Sequence, residues 1–210
     1  MIRIVSDTST LYSSAQAKEA GFNVAPLSVT INGNITVKLI GNAANTADDP
    51  YTGLKVVCGY NNTHLIIEDL NVNSTGSSIL SFTGTGNTLT LEGESTFKGN
   101  QYSSAALVQV DGAFYSNQNR TAELTINGTG ILNAFQPSDT YAAAIGGEAG
   151  APCGKLIIEG GIINAVTQGN GAAIGGGAGG NAPSITINAG DGFYLFGGKD
   201  EGSAALIQGI

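Results

Sequence analysis

Positive charge is what this 210-residue chain has least of: eight Lys and Arg stand against sixteen Asp and Glu, for a formal net charge of −8 with only 11% of residues charged. Nucleic acid and anionic membrane surfaces are therefore not expected as partners, since both need clustered cations to meet phosphate. Tryptophan is absent, and no run of 18 apolar residues occurs, so no membrane-spanning helix is expected. The two cysteines, Cys58 and Cys153, form no CxxC and lie away from the single histidine, His64, which leaves no zinc pattern. The opening MIRIVSDTST lacks the apolar core of a secretory signal, so none is expected in this sequence. No stretch runs strand, Gly-rich loop, Lys, helix, which excludes a phosphate loop.

What the chain has instead is glycine, 32 residues of it, with an ordinary apolar content of 41%. Low charge with normal hydrophobicity argues against disorder and for an all-β protein with many tight turns. From residue 35 onward the chain repeats. Short alternating strands recur at Ile35–Lys38, Leu65–Glu68, Leu89–Glu92, Leu124–Asn127, Leu156–Glu159 and Ile185–Asn188, with starts 24 to 35 residues apart. A second element falls roughly midway: Leu54–Val57, Ser78–Ser81, Ala105–Val108, Ala143–Gly146, Ala172–Gly175 and Ala204–Ile207. Six units of this size, with no helix to cross over, predict about six coils of a parallel β-solenoid. Spacing this irregular favours a right-handed parallel β-helix with variable loops over a strict hexapeptide helix. Ala-Ala-Ile-Gly-Gly, present at 143–147 and 172–176, is read as a recurring corner where glycine lets the backbone bend with positive φ close to its neighbours.

The first 33 residues differ in texture. Ile2–Val5 reads as a strand, Asp7–Thr10 as a polar turn, Ser14–Ala20 as a helix capped by Ser13 and stopped at Gly21, and Phe22–Ile31 as a second extended run. MIRIVSDTST followed by AKEAGFNVAPLSVTING resembles the opening of the DegV-family fatty-acid-binding proteins, which implies a short N-terminal β-α-β capping segment over 1–33 and, as one functional reading, fatty-acid binding. Ser13-Ser14 stands where that family often has prolines, and its later segments are not recognisable here. Val29–Gly33 equally resembles a solenoid strand such as Leu124–Gly128, so the chain reads as a chimera joined at a shared peptide.

Residues 34–210 form the expected β-helix repeat domain. AAIGGGAGG with ITIN, and LIIEGGIINA, resemble the repeats of bacterial surface proteins described as carbohydrate-binding or pectin-lyase-like β-helices. That resemblance implies a non-catalytic, extracellular or cell-surface protein that binds glycan or a host surface, with adhesion as its role. A native DegV-like start would instead imply the cytoplasm. The last unit reaches Ile210 without a polar cap, from which end-to-end association or a further downstream domain is expected.

Two candidate sites follow. Aligning the first elements places Lys38, Glu68, Glu92, Asn127, Glu159 and Asn188 in one column, with Glu68 and Glu92 on adjacent coils. Paired carboxylates could act as acid and base on a polysaccharide, as in glycoside hydrolases or lyases, or hold Ca²⁺. A lyase also needs a cation facing them, and the only arginines, Arg3 and Arg120, do not align with the column. The other candidate is aromatic: Tyr51, Tyr60, Tyr102, Tyr115 and Tyr141 fall in or beside expected loops, where a phenol ring can stack on the apolar face of a sugar. The loop pairs Asp48-Asp49 and Asp200-Glu201 read as turn residues with weak Ca²⁺ potential, so no resident cofactor is expected. Cys58 and Cys153 are expected to be free and buried, too many coils apart to bridge.

Overall fold

In a computed structural model, the structure describes residues 3–5, 28–32, 34–41, 45–111, 121–181, 184–188 and 194–199. All regular structure among them is strand, arranged in three sheets. Sheet I holds β3 (Thr36–Ile40), β6 (His64–Glu68), β9 (Asn87–Glu92), β12 (Glu123–Gly128), β15 (Lys155–Ile158) and β18 (Ile185–Ile187), with β1 (Arg3–Val5) at its edge. Sheet II holds β4 (Tyr51–Thr52), β7 (Asn71–Asn73), β10 (Glu94–Lys98), β13 (Ile131–Gln136), β16 (Ile162–Thr167) and β19 (Tyr194–Lys199). Sheet III holds β2 (Ser28–Ile31), β5 (Lys55–Cys58), β8 (Leu80–Phe82), β11 (Val108–Val110), β14 (Ile145–Gly146) and β17 (Ile174–Gly175).

From β3 onward the chain visits the sheets in the fixed order I, II, III, and each strand pairs in parallel with its counterpart one turn later. This is the parallel β-helix that the repeat predicts, with six parallel strands in each sheet. The sequence pattern identifies two strands per unit. The third, sheet II, is written in the alternating runs Ile131–Gln136 and Ile162–Thr167, whose odd positions face out and whose even positions are buried.

Alternation puts one apolar residue of each pair into the bore. Val37, Leu65, Leu89, Ile126 and Ile158 form one inward ladder on sheet I, and Val56, Leu80, Val108, Ile145 and Ile174 form another on sheet III. All ten are buried. On sheet II, Phe97 lies between Val72 on one side and Ala134 on the other, with Ala165 beyond, so the bulkiest ring is flanked by smaller side chains. Each fully buried Leu or Ile contributes about 1.5–3 kcal/mol.

The small-residue corners behave as the sequence predicts. Gly146 and Gly175 have φ of 135° and 139°, a region L-residues rarely enter. A Cβ at Gly146 would come within 3.0 Å of the Gly175 backbone. Ala143 and Ala172 accept this tight bend by donating their N–H to the carbonyls of Gly147 and Gly176, at 3.0 and 3.1 Å. The strands themselves start later than expected: in β8, β11 and β14 the leading Ser or Ala residues form the corner rather than the strand.

At the N-terminal end, β1 pairs antiparallel with β3, Arg3 opposite Ile40 and Val5 opposite Lys38, so this strand lies on the first coil rather than in an α/β unit of its own. The strand at the expected seam, β2, pairs in parallel with β5. Its likeness to a solenoid strand therefore holds, though it belongs to sheet III and not to the sheet of Leu124–Gly128. The expected helix at 14–20 and the turn at 7–10 lie outside the described residues, as do Arg120 and the Asp200-Glu201 pair. A buried asparagine clasp joins the next corner: Asn71 N–H donates to Asn45 Oδ1, while Asn45 Nδ2 and Asn71 Nδ2 each donate to the other residue's carbonyl, all at 2.7 Å.

Candidate functional site

The register of sheet I corrects the expected column. Glu68 pairs with Glu92 as expected, but Lys38 pairs with Ile66 and Asn127 with Thr90. Alternation has a period of two, so a slip of two residues keeps every side chain on its own face and is invisible to the pattern. The slip nevertheless leaves the three charges together. Lys38 Nζ lies 2.6 Å from Glu68 Oε2 and 2.6 Å from Glu92 Oε2, on the outer face of the sheet. The hydrogen bonds that the Lys38 ammonium donates to Glu68 and then to Glu92 hold it above its ordinary pKa. The cation facing the carboxylates is thus a lysine one coil from Glu68 and two from Glu92, which a search for aligned arginines misses.

Beside this clasp runs a short polar chain. His64 Nε2 and Thr90 Oγ1 are 2.8 Å apart, and Thr90 Oγ1 donates to Asn127 Oδ1 at 2.7 Å. Thr90 has its one hydroxyl proton directed at Asn127, so His64 is the donor at Nε2. A glycosidase needs the gap between its carboxylates for a glycosidic oxygen or a water. Here Lys38 Nζ fills that gap. Lys38→Met is accordingly expected to lower stability, because it leaves two glutamates side by side with no cation between them. Thermal denaturation of both proteins at low and high salt measures the difference: salt should narrow it by screening the repulsion, and equal midpoints at low salt would count against the clasp.

The tyrosines separate into three groups. Tyr51 is a correction: it is 7% exposed, occupies an inward position of β4 opposite Val72, and belongs to the core. Burial raises its phenol pKa, and its ring is closed to a sugar. Tyr115 lies outside the described residues. Tyr60, Tyr102 and Tyr141 are exposed at 55%, 75% and 52%. Tyr60 stands at the corner from sheet III to sheet I, between β5 and β6. Tyr102 and Tyr141 share the other corner, from sheet II to sheet III, on consecutive coils.

That shared corner is tied together. The Tyr141 N–H reaches the Ser103 carbonyl at 3.5 Å, and Gln101 Nε2 donates to Asp139 Oδ2 at 3.1 Å. Tyr102 and Asp139 both have left-handed backbones, with φ of 63° and 62°. A bulky residue held there is strained by about 1–3 kcal/mol, and such strain concentrates at functional positions. Tyr102 combines that strain with the largest exposure among the tyrosines described.

Among the described residues, no group of three or more His, Cys, Asp or Glu is placed to hold a metal ion, and no helix is long and apolar enough to cross a membrane. Asp48 and Asp49 sit in a turn where Asp49 N–H donates to Thr46 Oγ1 at 3.0 Å. Comparison with known proteins finds no match: no family model, no curated protein and no solved structure matches the chain.

Proposed function

We propose that this protein is a non-catalytic β-helix scaffold that binds glycan, at the cell surface or outside the cell, through the corner carrying Tyr102 and Tyr141. The observation that carries this reading is the pairing of two exposed rings on consecutive coils, one of them on a strained backbone. Solvated phenol rings offer flat apolar faces to the C–H face of a pyranose, and the coil stack fixes their spacing in advance, which lowers the ordering cost of binding.

A second reading draws on the convergence of Glu68 and Glu92: a polysaccharide hydrolase or lyase. It requires Lys38 to give up both contacts so that substrate can enter between the carboxylates. The fatty-acid reading has no comparable support, because Leu, Ile, Val and Phe ladders fill the bore that a lipid would need.

A glycan array run beside a reducing-sugar release assay separates these readings. The expected result is glycan retention with no release of sugar, and a loss of about tenfold in affinity for Tyr102→Ala and for Tyr141→Ala, about 1.4 kcal/mol each. Release of reducing sugar that disappears in Glu92→Gln reverses the assignment in favour of the enzyme.

A further inference from the structure

We infer that the glycan taken by this corner is a neutral polysaccharide, not a polyuronate or sulfated polymer, and that it lies along the helix axis across successive coils. This rests on the glycan-binding reading and deepens it.

The argument starts from what surrounds the two rings. Four consecutive corners from sheet II to sheet III are stacked here, following β7, β10, β13 and β16. Their contact is direct: Ser103 Oγ reaches the Gly76 carbonyl, Tyr141 N–H the Ser103 carbonyl, and Asn170 N–H the Thr140 carbonyl. At a coil rise of about 4.8 Å the strip is about 14 Å long. Its exposed groups beside the rings are hydroxyls and amides: Thr75, Ser77, Ser104, Ser138, Gln168 and Asn170. These donate and accept hydrogen bonds as sugar hydroxyls do, and they carry no charge.

The acidic groups here are Asp139 on the strip and, at its border, exposed Glu148, whose neighbour Ala149 donates its N–H to the Ser104 carbonyl at 2.8 Å. Asp139 is exposed, and its Oδ2 already accepts from Gln101. A carboxylate repels a uronate or a sulfate ester, whereas it accepts hydrogen bonds from neutral hydroxyls. The lysines with described side chains do not offset it. Lys38 and Lys155 are engaged by glutamates, Lys98 reaches back to the Ala47 carbonyl at 3.4 Å, and Lys55 stands on sheet III close enough to Asp111 to lower that carboxyl's pKa against the rise that burial gives it. An acidic polymer would need several such cations free at the strip.

An apolar protein partner fits less well, because the rim of the two rings holds hydroxyl and amide groups where such an interface needs an apolar core. The axial direction follows from the coils. The rings sit on neighbouring turns, so a chain touching both must run across the turns rather than along a strand.

The test uses the whole chain in affinity electrophoresis and titration calorimetry with three probes: a neutral β-glucan, a neutral mannan and a polyuronate. The expected result is binding to a neutral polymer whose affinity changes by less than twofold between 20 mM and 500 mM salt, with no polyuronate binding. The Tyr102→Ala/Tyr141→Ala double variant, checked for an unchanged denaturation midpoint, is expected to lose binding at least tenfold. Polyuronate binding that weakens steeply with salt overturns this inference and leaves the glycan reading standing. Binding to neither class overturns both, and neutral-polymer binding that survives the double variant removes this corner as the site.

Discussion

Gly146→Ala is expected to remove about 2–6 kcal/mol of stability, a large part of the roughly 5–15 kcal/mol that a domain ordinarily has. Two effects add. The backbone sits at φ 135°, where any side chain is strained by about 1–3 kcal/mol. The new methyl would also point at the Gly175 carbonyl of the next coil, which is fixed in a parallel ladder and cannot retreat without breaking the pairing of β14 with β17. Forced overpacking of this kind costs about another 1–3 kcal/mol. Gly59→Ala is the control. A Cβ there meets nothing within 4 Å, so that change is expected to be neutral or slightly stabilising. Urea denaturation decides the matter: the midpoint should fall for Gly146→Ala at unchanged slope and hold for Gly59→Ala. Equal midpoints would falsify the drawn bend.

Cys58 and Cys153 carry the second large prediction. Both are free and buried, and burial pushes each thiol up to about 12. At pH 8 a group with that pKa is thiolate about once in 10⁴ molecules, against roughly one in four for an exposed thiol. Alkylation of the native protein should therefore be at least a thousandfold slower than of the urea-unfolded chain, where both thiols react together. The same shift has a thermodynamic side. Between about pH 9 and 12 the unfolded chain has lost these protons while the native protein keeps them, so stability falls as pH rises through that window. Each thiol contributes a slope of up to about 1.4 kcal/mol per pH unit. Tyr51 and Lys38, whose pKa values are also raised, act in the same direction. The double variant Cys58→Ala/Cys153→Ala should flatten the alkaline limb without abolishing it. Rapid labelling of native protein at pH 8, or a slope the variant does not change, would show that these thiols are not in the core.

The separation of the two cysteines shows how far the residues alone could be read. Their coils were countable from the repeat, and between them in the stack lie Phe82, opposite Cys58, and Asp111, bridged to Cys153. Coil number and inward ladders were legible because each is a local pattern repeated from coil to coil, and the glycine bend because the same five residues stand at 143–147 and 172–176. Register was not. Whether Lys38 faces Glu68 or Ile66 depends on turn length, and a two-residue slip leaves no trace in alternation. The clasp on Lys38 therefore emerges only when the strands are laid side by side. Tyr51 shows the converse error. The stretch 42–52 reads as loop, but among its described residues Tyr51 and Thr52 form a strand, which places one ring in the core. At the corner of Tyr102 and Tyr141 the exposed aromatics were readable, but their adjacency was not, because the loops that carry them differ in length.

The strict I, II, III itinerary makes each coil a unit of exchange. A whole turn has the same three faces above and below it, so a tandem copy of, for example, Leu124–Lys155 could be spliced into the stack with its ladders already matched to both neighbours. Such a protein can lengthen by gene duplication one rung at a time, and each added rung brings a fresh outer corner on which new recognition chemistry can be tried while the interior stays as it was.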